Sequence, residues 1–175
     1  WVWERAYFRR GSGITIAQTE FGKVGFLICW DVAHPKLWQQ YSGKVDLMIV
    51  SSCPPKALEG SFVFPSGNLR MNEHRGVLAQ YLKRKTDQTF GTYLRRQAGF
   101  LGVPVAHASS TGITKSRLPK PKLSLVMLSA IFPPLLRHWT QFEHARIESA
   151  YFNETYIADK AGCVLQFVPP GSEGF

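Results

Sequence analysis

Gly13-Ile-Thr-Ile-Ala-Gln-Thr19, Glu20-Phe-Gly-Lys23, Val24-Gly-Phe-Leu-Ile-Cys29, Trp30-Asp31 and Pro35-Lys-Leu-Trp-Gln-Gln-Tyr41 form the stretch that decides the fold. Residues 13–19 alternate apolar and polar, as a half-buried strand does. Residues 24–29 are a nearly continuous apolar run, the pattern of a strand buried on both faces. Glu20–Lys23, with Gly22 inside, supplies the tight turn between them. Pro35 suits the first turn of a helix and Gly43 its end. Val45–Val50 adds another short apolar strand, which Ser51-Ser-Cys-Pro-Pro55 stops.

Outward from there, residues 54–68 read as a loop rich in glycine and proline. Val77, Leu78, Tyr81 and Leu82, then Tyr93, Leu94 and Ala98, recur at helical spacing between basic residues, so one or two helices are predicted over about 70–100. Gly102–His107 reads as a strand, and 155–158 and 163–168 flank Gly162 as a hairpin. Strands alternating with helices predict an α/β fold with sheet and helix layers.

The chain has 175 residues, 45% hydrophobic and 19% charged, enough to bury a core in one domain and too apolar to be disordered. Its net charge of +9 allows attraction to anionic partners without selecting one. Cys29, Cys53 and Cys163 contain no CxxC pair, so neither a disulfide framework nor a zinc signature is read, and a reducing, cytoplasmic setting is expected. The apolar run Leu123–Leu136 is interrupted by Pro133 and Pro134 and is shorter than the roughly 18 to 20 residues a span requires, so no transmembrane segment is expected. The start at Trp1 reads as the middle of a protein, with any targeting peptide outside it.

Cys29 falls where a buried strand ends and a helix is about to begin. Backbone N–H groups and the helix dipole at such a place favour a thiolate, hence a nucleophile, although the spacing alone favours a buried core cysteine. The surrounding words point further. Glu4, Phe8 and Gly11 fit E-x3-F-x2-G, and Thr19 to Asp31 fit T-x-x-G-x-x-G-x-x-I-C-[WY]-[DE]. The chain resembles the nitrilase superfamily of carbon–nitrogen hydrolases. Asp46–Val50, Leu101–Val105 and Ile157–Gly162 follow in the matching order.

The resemblance implies an α-β-β-α sandwich and a cofactor-free, metal-free Glu-Lys-Cys site that hydrolyses a small amide, carbamoyl compound or nitrile through a cysteine thioester. Cys29 maps onto the nucleophile, the N–H of Trp30 onto an oxyanion donor, and Glu4 onto a second glutamate that orients the lysine. Cys-Trp-Asp resembles the amidase-like branches more than the nitrile-cleaving ones. The family's first glutamate and its lysine precede the Glu4 motif, and neither Lys23 nor Lys36 occupies that lysine's place. The chain is therefore expected to be one carbon–nitrogen hydrolase domain, residues 1–175, incomplete at its N-terminal side. A catalytically incomplete fragment serving as a basic binding or scaffold module is the rival expectation. Two departures bear on pocket polarity: Ala108-Ser-Ser-Thr-Gly112 stands where the family has an asparagine turn, and Glu154-Thr155 where it has Gly-x-Ser.

His34, His74, His107, His138 and His144 show no ligand spacing, so no metal is expected. Asp31 is expected to anchor the turn after Cys29, and Cys53 to be a plain buried thiol or to line the pocket. Asn153-Glu-Thr155 fits a glycosylation sequon that matters only in a secreted protein. Lys115–Lys122 and the apolar 123–136 could lie on an anionic membrane surface or bind nucleic acid, but a solvated loop and a packed or subunit-facing helix is the expectation, with no nucleic-acid partner. Leu37, Trp38 and Tyr41 make an apolar stripe, which the resemblance implies is part of a homo-oligomer contact.

Overall fold

The computed structural model describes residues 8–9, 11–73 and 76–169, and Glu4 and His74 lie outside them. The chain divides into two compact units, each assembled from several segments: one from 1–54, 87–110 and 153–175, the other from 55–86 and 111–152.

The first unit holds a six-stranded sheet. β1 (Ile16–Thr19) and β2 (Gly22–Ile28) form the expected hairpin, with Gly22 at φ 102 in its turn. β2, β3 (Leu47–Ser52) and β6 (Val105–Ser109) run parallel, with Ile28 opposite Ser51 and Ser51 opposite Ala108. β9 (Thr155–Ala158) and β10 (Val164–Val168) close the far side antiparallel, in the order β1-β2-β3-β6-β9-β10. The Asp46 carboxylate accepts from Lys23 N–H at 2.8 Å, while Asp46 N–H donates to Lys23 C=O at 2.7 Å, which pins the β2–β3 register.

α1 (Pro35–Tyr41) and α3 (Leu94–Leu101) bury Trp38, Tyr41, Leu94 and Ala98 in one core with Leu27, Met48, Val50 and Val105. The indole N–H of Trp38 donates to Val32 C=O at 3.0 Å, and the Tyr41 hydroxyl donates to Phe26 C=O at 2.6 Å. Gly25 leaves room for this packing, since a Cβ there would stand 2.6 Å from Met48 Sδ and 2.8 Å from the Tyr41 ring. The stripe expected to pair with another copy is thus core: Trp38 is 0% exposed and Leu37 packs against the same cluster. Its indole needs a buried acceptor, and the strand-end turn supplies one.

The helical prediction over 70–100 resolves into α2 (Val77–Gln88), a π-helical turn (Thr89–Tyr93) and α3, which Gly102 ends at φ 69. In the second unit, the region read as a loop instead contains a hairpin of β4 (Ser61–Phe64) and β5 (Gly67–Arg70), with Pro65 and Ser66 as its two-residue turn. β7 (Ile113–Arg117) and β8 (Arg146–Ala150) complete an antiparallel sheet of order β5-β4-β8-β7. Phe62 and Phe64 from its inner face pack with Leu125 of α4 (Pro121–Ser129) and with Leu135 and Phe142 of a 3-10 segment over 133–144. No described helix is long and apolar enough to cross a membrane.

Candidate active site

Cys29 is the first residue of a 3-10 turn, Cys29–Ala33, entered directly from the C-terminal end of β2. Its φ is 47, the left-handed region that a residue with a Cβ adopts only when its surroundings enforce it. Three observations show what enforces it. The Asp31 carboxylate reaches back to accept from Ile28 N–H at 3.1 Å, the anchoring role expected for Asp31. Asp31 C=O accepts from His34 N–H at 3.0 Å, and Val32, fully buried, is held by the Trp38 indole. The turn is therefore fastened before, within and after Cys29, whose side chain is half-buried against the first unit's core.

Parallel strands collect their ligand sites at their C-terminal ends. The ends of β2, β3 and β6 place Cys29, Ser52 and Ser109 along one edge of the parallel set. Trp30 packs at 6.1 Å, tilted, on Phe90 of the π-helical turn. The Glu154 carboxylate lies against Gly91 of that turn, where an added Cβ would stand 3.4 Å from Oε2. π-turns inside helices often mark functional sites, because the extra residue re-aims the side chains around it.

Sequence reasoning missed one pair. Ser52 Oγ and His107 Nε2 lie 2.7 Å apart, both buried, and the His107 ring meets Tyr156 edge-on at 5.1 Å. Burial lowers His107 to about 4 and raises the Tyr156 phenol. Only strand alternation, which sets His107 on the face of Val105, could have shown that this histidine points inward.

The other candidates scatter. Cys53 and Cys163 are exposed, which corrects the expectation of a buried thiol at 53: Cys53 follows the last residue of β3 and has left the sheet. His34 and His144 are exposed, and His138 stacks on Phe64 at 4.3 Å. Among the described residues no group of three His, Cys, Asp or Glu could hold a metal. Thr155 of the sequon accepts from Ser109 N–H at 3.0 Å and so joins β9 to the end of β6.

Comparison with known proteins gives this geometry a family. The carbon–nitrogen hydrolase family model matches residues 2–174, and the chain belongs to that family. A carbon–nitrogen hydrolase from Helicobacter pylori is 15% identical with a TM-score of 0.58, over 95% of this chain and 43% of that one. A nitrilase-superfamily amidase from Nesterenkonia sp. is 12% identical with a TM-score of 0.52, over 94% and 41% respectively. These likenesses show that the fold is an α/β fold of the nitrilase type. A probable nitrilase of Schizosaccharomyces pombe is 40% identical over 50 residues, 28% of this chain and 18% of that protein. The chain spans about two-fifths of the solved structures it matches.

Proposed function

We propose that Cys29 is the nucleophile of a hydrolase that cleaves a small, non-peptide carbon–nitrogen bond. The observation that carries this is the left-handed Cys29 at the C-terminal end of β2, with its turn fastened on both sides. Family membership supports the reaction class. A variant of the Nesterenkonia amidase carries the acetamide moiety of fluoroacetamide on its active-site cysteine, which supports the chemistry.

In the proposed reaction the Cys29 sulfur attacks the carbonyl carbon and the Trp30 N–H helps hold the oxyanion. The C–N bond breaks, the amine leaves with a proton, and water hydrolyses the resulting thioester. The family resemblance assigns proton transfer to a glutamate and further oxyanion stabilisation to a lysine, both preceding the Glu4 motif, with Glu4 orienting the lysine. An amide or carbamoyl substrate is preferred over a nitrile because Asp31 follows Trp30. The same resemblance favours a homo-oligomer, which would have to use a surface other than the buried stripe of α1.

The test is Cys29→Ala in the complete protein together with fluoroacetamide labelling. The variant should keep its circular dichroism and lose turnover. Peptide mapping should place the adduct of the wild type on Cys29, despite the greater exposure of Cys53 and Cys163. Measurable hydrolysis by the variant, or an adduct on Cys53 or Cys163 alone, removes the assignment.

A further inference from the structure

Most of the net positive charge of the chain belongs to the second unit. The segments 55–86 and 111–152 carry 12 Lys and Arg against 4 Asp and Glu, a net of +8 out of the chain's +9. Within this unit α4 is apolar on two sides. Leu125, fully buried, and Leu128 turn into the core with Phe62 and Phe132. On the opposite side Leu123, Val126 and Met127, at i, i+3 and i+4, face outward. The 3-10 segment packed on α4 does the same, burying Leu135 and Phe142 while exposing Leu136 and Trp139. These five outward side chains are between 42% exposed, at Val126, and 53% exposed, at Trp139.

Cations flank them. Lys120 and Lys122 open α4, and Arg137 stands between Leu136 and Trp139. Lys122 is held by Glu143 at 2.8 Å, whereas among the described residues no carboxylate lies within ion-pair distance of Lys120 or Arg137. All are exposed.

We propose that this face of the second unit, Leu123, Val126, Met127, Leu136 and Trp139 with Lys120 and Arg137, docks on an anionic lipid surface. A helix with an apolar outer face among basic residues lies in the headgroup region, with its apolar side chains reaching the acyl boundary and its cations among the phosphates. An exposed tryptophan suits that boundary because its ring is apolar and its N–H polar. Charge selects this occupant over the alternatives. A second copy joined across a two-fold axis would set the cationic surround against itself, which costs energy. A nucleic acid would need aromatic rings interleaved with the cations for stacking, and the centre here is leucine, valine and methionine with one tryptophan.

The experiment is co-sedimentation of the complete protein with vesicles of phosphatidylcholine mixed with phosphatidylserine, against phosphatidylcholine alone, at low and high salt. Binding should require phosphatidylserine, weaken with salt, and shift tryptophan emission to the blue, a shift lost in Trp139→Phe. Lys120→Gln and Arg137→Gln should each weaken partitioning by about fivefold. Leu123→Gln with Met127→Gln should weaken it further while circular dichroism stays unchanged, since neither side chain is buried. Equal binding to phosphatidylcholine alone, or no binding to the mixed vesicles, overturns the proposal. So does self-association without lipid that the Leu123→Gln, Met127→Gln variant abolishes, which would assign the face to a second copy.

Discussion

A histidine 2% exposed, 2.7 Å from a serine hydroxyl 5% exposed, is a titratable group that water scarcely reaches. Burial lowers its pKa from 6.5 to about 4, so the direction of its effect on folding can be worked out. Well above pH 6.5 the imidazole is neutral in both the folded and the unfolded chain and contributes no pH dependence. Below 6.5 the unfolded chain takes up a proton that the folded chain refuses until about 4, so stability falls across that window. The loss from this one group is about 2 kcal/mol near pH 5 and about 3 kcal/mol at its full extent. His107→Gln keeps a hydrogen-bonding partner for Ser52 and gains no proton. Urea unfolding near pH 7 and near pH 5 should therefore show a smaller loss in this variant than in the wild type. Equal losses would mean that His107 is protonated in the fold. Cys29 shows the other way in which a single residue carries cost: its left-handed backbone is strain that the Asp31 carboxylate and the Val32–Trp38 bond hold in place.

The helix after that turn is where packing decides between two readings of one stripe. Trp38 and Tyr41 fill the space over Gly25, and Trp38 also anchors Val32, three residues beyond Cys29. Truncating a buried aromatic of this kind costs roughly 3–5 kcal/mol, and a carboxylate in its place adds an unpaired buried charge. Trp38→Glu should therefore unfold the first unit, seen as lost helical circular dichroism and no cooperative thermal transition. A folded variant with altered assembly would return the stripe to an interface. The same comparison explains which elements were legible. β2 and β3 were legible as short apolar runs, and Pro35 and Gly43 mark the ends of α1, but the expectation that β2 is buried on both faces is corrected: Leu27 is buried while Phe26 and Ile28 on the other face are exposed. The second sheet has no such signal. β7 is Ile-Thr-Lys-Ser-Arg and β8 is Arg-Ile-Glu-Ser-Ala, each charged on one face, and the Pro65-Ser66 turn made the β4–β5 hairpin look like a loop. The turn around Cys29 was legible because its neighbours in sequence are its neighbours in space. The Ser52–His107 pair joins residues 55 apart, a contact that exists only after β3 and β6 pair.

At the scale of the whole molecule, the chain spans 41–43% of the solved relatives it matches, and its catalytic content has to be judged against that. A cysteine positioned in a strained turn has the geometry of a nucleophile, but a nucleophile without its base and oxyanion partner loses most of its rate advantage. Removing one member of such a unit costs several orders of magnitude, because the members act together and their effects do not add. The family resemblance places the glutamate and lysine of the proposed site before the Glu4 motif and matches neither to Lys23, exposed in β2 beside its hairpin turn, nor to Lys36, exposed on α1. The purified 175-residue chain should therefore hydrolyse an amide accepted by the complete protein at a kcat/KM at least about a thousandfold lower. Fluoroacetamide labelling of Cys29 should slow in parallel, since the same base would activate the thiol. Both should recover when a separately expressed upstream segment containing the glutamate and lysine is added. Turnover by the isolated chain at the rate of the complete protein would mean that the base and the oxyanion donors lie within these 175 residues, and that the site must be rebuilt from groups already beside Cys29.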